Sequence, residues 1–413
     1  MAILRPFCGW RPLPEFVAEV AAKPYDVLSS DEARKEAEGH PLSFLHVGKP
    51  EIDLDPTINI YDIRVYEKAK ENLERFLTKG IFRKDPEPYL YIYSQTMNNH
   101  TQYGIVGCVS VQEYLNDKIK KHELTRKDKE DDRTKHILYT NAHTGPIFLT
   151  YKASSSVDEI VSKIIQQKPV YDFIASDGVV HKFWVISNRK DVNDLVEIFK
   201  SIPALYVADG HHRSASAVRV AQEMMKKNPN HTGEEEYNYF LAVCFPHNQL
   251  KILDYNRVVK DLNGRTKEEF LNELKENFEV RKLEQKMKPA GKGEFTMYLE
   301  GDWYHLCVSK NLKVGEDLIS KLDVSILQNY VLDLILGIKD PRTDKRIDFV
   351  GGIRGLEELE RRVNSGEMKV AFALYPTSIE ELIAVADAGK IMPPKSTWFE
   401  PKLRDGLVIH MIE

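Results

Sequence analysis

The sequence predicts a mixed α/β (α+β) protein, and three observations predict it. Strand-length runs of β-branched and aromatic residues recur from residue 89 to the C terminus, and amphipathic helical segments are interleaved with them. One such run, 204–208, passes through a short polar turn straight into a helix. The chain has 413 residues, 42% hydrophobic and 29% charged, which is enough for a substantial core and for two domains.

Taken in order, Lys23-Pro24-Tyr25-Asp26-Val27 reads as a turn, and Ser29-Ser30-Asp31 can cap a short helix over 32–38. Tyr66, Ala69, Leu73, Phe76 and Leu77 follow helical spacing, which predicts an amphipathic helix over 66–77 with Gly80 as its stop. Runs at 89–93 and 105–111, separated by the polar Asn98-Asn99-His100, predict a β-hairpin with a long connection. Further strands are expected at 147–151, 183–186, 205–207, 239–245, 295–299, 304–308, 370–374 and 407–412. Helices are expected at 192–200, 214–227, 268–278, 324–336, 355–364 and 379–388, each from an apolar stripe. Segment 282–293 holds four Lys, two Gly and one Pro, so it reads as an exposed excursion. The boundary is placed between 262 and 263, giving a core domain over 1–262 and a C-terminal α/β region over 263–413 that contributes loops 340–354 and 391–402. No repeat of fixed period is present.

Composition narrows the function classes. A net charge of −5 opposes a nucleic-acid coat, so DNA is not the expected partner. Cys8, Cys108, Cys244 and Cys307 form no C-x-x-C pair, which argues against a disulfide framework and a zinc site. The N terminus lacks the apolar core of a signal peptide and no run of about 18 apolar residues occurs, so a cytoplasmic location without membrane contact is expected. P-loop, nucleophile-elbow and zincin motifs are absent.

The chemistry concentrates at Ala208-Asp209-Gly210-His211-His212-Arg213, between the run 204–208 and a helix carrying Ala217, Val218, Ala221 and Met224 on one face. A glycine there lets the backbone turn sharply, and amides at a helix start favour an anion by about 0.3–1 kcal/mol. Arg213 is expected to project from an exposed turn as a bidentate donor to phosphate or carboxylate. Asp209 can serve as general base or hold Mg²⁺, and His211 or His212 can donate to phosphate or carry a proton. The structural alternative is that Asp209 satisfies turn amides, one histidine is a core residue and Arg213 pairs with an acid.

A mixed-charge run over 118–135 is the pattern of a solvated helix face, but within it Glu123 can deprotonate a hydroxyl while His122 or Arg126 binds phosphate. In the proline-flanked 391–402 segment, Lys395, Ser396 and Thr397 can close over an anion, or Trp398 and Phe399 can dock the tail.

Taken together, Lys23-Pro24-Tyr25-Asp26-Val27, His122-Glu123-Leu124-Thr125, Ala208-Asp209-Gly210-His211-His212-Arg213 and the 393–402 segment resemble the DUF1015 family, over essentially the whole chain. That family carries a chromosome-partitioning, ParB-like label, and its Asp-Gly-His-His-Arg turn resembles the nucleotide signature of the ParB/sulfiredoxin superfamily. The resemblance implies a ParB/sulfiredoxin-like nucleotide-binding core with an additional mixed α/β C-terminal region. No helix-turn-helix module is found and the phosphate turn holds no cysteine, which leaves the kinase branch of the superfamily in front.

The implied activity is an ATP- or ADP-dependent phosphotransferase, with Mg²⁺, acting on a small hydroxylated metabolite for which free serine is the named guess. In that reading Glu123, Asp209 and His211 are catalytic, and Asp209 is also the metal ligand. Gly210, His212, Arg213, Ser214, His122, Thr125, Arg126 and Lys395 then bind nucleotide or phosphate. Alternatives are a non-catalytic ParB-like nucleotide-binding regulator, related to DNA partition, and a phosphoserine phosphatase-like hydrolase. A homodimer is compatible with either reading.

Overall fold

The computed structural model describes residues 2–413, which divide into two compact units. The first runs to Lys121 and continues through Thr125–Leu250 and Pro401–Glu413; the second comprises His122–Leu124 and Lys251–Glu400. The observed break thus follows Leu250, twelve residues or so before the boundary expected from composition. Strand pairing is the reason. Tyr255–Val259 hydrogen-bonds to Ile347–Gly351 and Val370–Leu374 in the second unit. The C-terminal segment instead pairs His410–Met411 with Ala142–His143 and bridges Asp405 to Ala22, all within the first.

The first unit is built on a nine-stranded sheet. Its strands are β1 (Leu4–Arg5), β2 (Leu90–Met97), β3 (His100–Ser110), β4 (Ile119–Lys120), β5 (Ile147–Tyr151), β6 (Tyr171–Ile174), β7 (Val180–Ile186), β8 (Leu205–Asp209) and β9 (Tyr239–Pro246). Their order is β4-β8-β5-β9-β3-β2-β7-β6, with β1 against β3. Only β4 with β8 and β5 with β9 run parallel, so the sheet is mixed. The unit's helices of eight or more residues are α1 (Ser30–Ala37), α2 (Ile63–Thr78), α3 (Lys127–Thr140), α4 (Ser155–Ile164), α5 (Arg189–Ser201) and α6 (His211–Lys227).

Local chemistry sets these limits. Ser29 and Glu32 close a reciprocal capping box at the start of α1, and Asp62 caps α2 through the Arg64 amide. The β2–β3 hairpin, read from sequence as a long connection, turns on Asn98 and Asn99 alone, with φ of 50° and 60°. Asparagine tolerates that conformation, and a two-residue turn of this hand matches strand twist. Ile147, Leu149, Leu205 and Val207 of the sheet pack with Ala217, Val220 and Ala221 of α6 in one core. Each fully buried Ile, Leu or Val side chain among these contributes about 1.5–3 kcal/mol. α6 also packs on α3.

The second unit carries a six-stranded antiparallel sheet: β10 (Tyr255–Val259), β11 (Phe278–Leu283), β12 (Glu294–Leu299), β13 (Asp302–Val308), β14 (Ile347–Gly351) and β15 (Val370–Leu374), in the order β11-β13-β12-β15-β10-β14. Helix α7 (Lys267–Leu274) ends earlier than expected because Phe278 opens β11 opposite Val308. The helix expected over 324–336 is an α-turn, Asp323–Leu327, continued by a π-helical stretch, Gln328–Asp333. Helix α8 (Gly355–Asn364) sets Leu356, Leu359 and Val363 on Val258, Ala371 and Ala373. No helix among the described residues is long and apolar enough to cross a membrane.

Candidate functional site

The polar turn lies at the end of a central strand. β8 slips its register against β5 between Val207 and Asp209, an irregularity that re-aims the strand's last side chain. Gly210 follows with φ of 94°, and an added Cβ would stand 3.1 Å from Arg213 Nε. The positive φ favours glycine, and a Cβ would also force the Arg213 side chain to shift by a few tenths of an ångström. Gly210→Ala is therefore expected to cost about 1–3 kcal/mol of stability, read as a lower urea midpoint; an unchanged midpoint would show that the turn relaxes without strain. α6 starts directly afterwards with no side-chain cap and no acid in its first turn. The partial positive charge of that helix start faces the turn.

Asp209 sets the electrostatics. Its Oδ1 accepts the Gly210 amide at 3.0 Å and its Oδ2 lies 3.3 Å from Lys402 Nζ and 3.9 Å from Arg213 Nη2. Burial alone would raise the carboxyl's pKa, but Lys402 and Arg213 outweigh it and hold the group far below the usual carboxylate range. A carboxylate so stabilised is ionised at neutral pH, with its charge held between Lys402 and Arg213. Its neighbours on this face are cations, and Asp26 points to Arg213 at 3.8 Å. Mg²⁺ takes carboxylates and phosphate oxygens in an octahedron. With its oxygens already paired to Lys402, Arg213 and the Gly210 amide, Asp209 does not fit a resident Mg²⁺.

His211 is buried, and burial, aided by His212, Arg213 and Lys121 against the pull of Asp209, lowers its pKa to about 4. Its imidazole is neutral at pH 7. His212 is half-buried, and its Nε2 accepts the Arg126 amide at 3.1 Å, which places the ring proton on Nδ1 in the neutral form.

Several expected contacts take different positions. Arg213 is 8% exposed rather than projecting: Nη1 donates to the Pro146 carbonyl at 2.6 Å, and the guanidinium lies beneath Gly210. Ser214 is fully buried and its hydroxyl donates to the Gly210 carbonyl at 3.1 Å, the back-bond that serine makes inside a helix. Thr125 donates to Glu130, and the Arg126 guanidinium pairs with Asp128 at 2.8 Å on the surface. His122, Glu123 and Lys395 fall with the second unit. There the His122 carbonyl accepts the Met392 amide at 2.8 Å and its Nε2 meets Thr397 Oγ1 at 3.2 Å. Glu123 is half-buried, and Lys395 is exposed with Nζ 5.6 Å from the Tyr255 ring.

The turn thus gathers Asp209, Gly210, His211, His212 and Arg213, and adds Lys402, which sequence reasoning did not select. The prolines of the 391–402 segment make it legible as special, but the lysine that meets the turn is Lys402, next to Pro401, and not Lys395.

Fold and site define a mixed α/β protein whose central strand ends in a cation-lined, glycine-started helix. The chain belongs to the DUF1015 family: the model for "Protein of unknown function (DUF1015)" matches residues 4–325. No curated protein matches it. Among solved structures it is similar to a free serine kinase in complex with AMP, at 15% identity and a TM-score of 0.36, covering 71% of this chain and 86% of that one. C-terminally truncated SbnI from Staphylococcus aureus is similar at 14% identity and a TM-score of 0.37, over 73% and 85% of the two chains. A conserved hypothetical protein from Pyrococcus furiosus is similar at 16% identity and a TM-score of 0.35, over 74% and 95%.

Proposed function

We propose that the chain binds ATP or ADP by its phosphates at the Gly210 turn and transfers a phosphoryl group to a small hydroxylated metabolite in the cytoplasm, with free serine the first substrate to test. The observation that carries this reading is the convergence of Lys402, Arg213 and the α6 start around Asp209 at one turn. Phosphoryl transfer asks a protein for positioning and charge more than for covalent chemistry, and this turn offers both.

In this reading Asp209 is a positioning residue. Its fixed charge holds Lys402 Nζ at the mouth of the turn, ready to donate to a phosphate oxygen. Divalent metal, when the nucleotide carries it, shields phosphate charge. The bond from phosphorus to the departing nucleotide oxygen breaks as the bond from the substrate hydroxyl oxygen forms. The hydroxyl proton passes to the neutral imidazole of His211, whose weak basicity suffices because the proton leaves late in a loose transition state.

The test is incubation of the purified chain with γ- or β-labelled nucleotide, Mg²⁺ and a pool of serine, homoserine and threonine. A labelled amino acid product is expected; nucleotide binding without transfer to any of them would overturn the enzyme reading and leave a nucleotide-binding regulator. Lys402→Met is expected to weaken nucleotide binding about tenfold or more in calorimetric titration, the loss of one charge-assisted contact. Lys402→Arg should recover part of it, and equal affinity in all three proteins would remove Lys402 from the site.

A further inference from the structure

The segment 401–405 carries Lys402 to the Gly210 turn. Among the described residues it meets other backbone only at Asp405, which bridges Ala22 through reciprocal hydrogen bonds of 2.9 and 3.1 Å. Leu403, Arg404 and Asp405 are nevertheless buried, and a buried peptide group needs a partner. Two side chains of β2 supply partners where no strand does. Gln95 Nε2 donates to the Lys402 carbonyl at 2.8 Å, and the Tyr93 hydroxyl oxygen accepts the Arg404 amide at 3.3 Å. The spacing matches on both sides. Tyr93 and Gln95 stand two apart on a strand and so share one face of the sheet, and the groups they hold are two residues apart as well.

Each contact is held to one sense by a residue behind it. Gln102, opposite Gln95 on β3, donates from Nε2 to Gln95 Oε1 at 3.0 Å, which leaves the Gln95 amide N–H for Lys402. His181, opposite Gln95 on β7, meets the Tyr93 hydroxyl through Nδ1 at 2.7 Å, with the two rings stacked. A backbone amide can only donate, so the Tyr93 oxygen accepts from Arg404 and gives its own proton to Nδ1, and the ring proton of His181 sits on Nε2. Burial, with Arg404 beside it, keeps that imidazole neutral by lowering its pKa to about 3. Tyr93, Gln95, Gln102 and His181 are each at most 1% exposed, so water does not compete for these bonds.

Four polar side chains inside a sheet carry a desolvation cost that apolar residues would not. What they do that apolar residues cannot is hold a segment that has no strand to pair with. Lys402 leaves that segment with its side chain 13% exposed and its Nζ 3.3 Å from Asp209 Oδ2, while the neighbouring Arg404 guanidinium pairs with Asp177. A slip of one residue would break both β2 contacts and put Leu403 where Lys402 stands.

We propose that Gln95 and Tyr93, backed by Gln102 and His181, are positioning residues that set the register of 401–405 and thereby the place of Lys402 Nζ beside Asp209. The consequence for ligand binding rests on the reading that the Gly210 turn holds nucleotide phosphates; the placement of Lys402 does not.

Competitive acetylation of the full chain, with Lys402 read against the exposed Lys190 by mass spectrometry, measures how firmly the amine is held. Gln95→Met/Gln102→Met replaces both amides by side chains of similar length and leaves neither without its neighbour. With native near-UV circular dichroism, this double variant is expected to acetylate about tenfold faster at Lys402 and at the wild-type rate at Lys190. Tyr93→Phe removes one oxygen and keeps the ring, and about a threefold rise at Lys402 is expected. A wild-type rate at Lys402 in either natively folded variant would overturn the proposal. Titration with ADP then separates the two layers. Weakening in the double variant comparable to that in Lys402→Met supports the proposal, whereas weakening in Lys402→Met alone counts against it. Wild-type affinity in Lys402→Met would instead fail the nucleotide reading, and the acetylation rates then decide the positioning by themselves.

Discussion

Replacing Arg213 by methionine is expected to destabilise the first unit by about 3–5 kcal/mol, the scale measured when one member of a buried charge network is removed. Methionine keeps most of the volume, so a cavity contributes little to the loss. The cost comes from the partners left behind. The Pro146 carbonyl loses a donor at 2.6 Å, and Asp26 and Asp209 lose a cation at 3.8 and 3.9 Å. Asp405, with one oxygen already unpartnered, loses the strongest of the charges that oppose its burial. Urea unfolding followed by near-UV circular dichroism reads the effect, with midpoint and slope compared because a chain of two units need not unfold in one step. An unchanged midpoint would put the guanidinium at the surface, where the sequence alone suggested it should be.

That difference marks how far the sequence carries. The strand, the glycine turn and the helix at 204–227 were readable because they are consecutive: apolar run, special-φ residue and apolar stripe occupy one window of chain. What surrounds the turn was not readable, since its partners arrive from far away. Lys402 lies 193 residues from Asp209 and Pro146 lies 67 from Arg213. No local pattern announces that a polar arginine will be roofed by a glycine and floored by a carbonyl. The β2–β3 hairpin failed for a related reason. Gln95 and Gln102, both fully buried, hydrogen-bond to each other across it at 3.0 Å, so the strands continue through residues that look like loop. Buried polar pairs of this kind break the apolar alternation by which a strand is recognised.

Asp405→Asn is expected to stabilise the protein at about pH 8 and to leave it nearly unchanged at about pH 4, the reverse of the usual outcome when a buried polar group is altered. The sign follows from proton linkage. The folded carboxyl titrates at about 7, above the ordinary value of 3.8 that the unfolded chain retains. Below both values the group is protonated in both states and folding carries no penalty. As pH rises between them, the unfolded chain releases the proton and the native state keeps it, so stability falls by about 1.4 kcal/mol per pH unit. Above about 7 both states are ionised and the accumulated cost, on the order of 4 kcal/mol, no longer grows. Asparagine has the same shape and no titration, so the difference between variant and wild type isolates this one group from every other carboxylate in the chain. Chemical denaturation at intervals across this range should show the two stability curves meeting at the acid end and separating toward neutrality. Parallel curves would mean that Asp405 is ionised throughout, held by Arg213 and Arg133 against the cost of its burial.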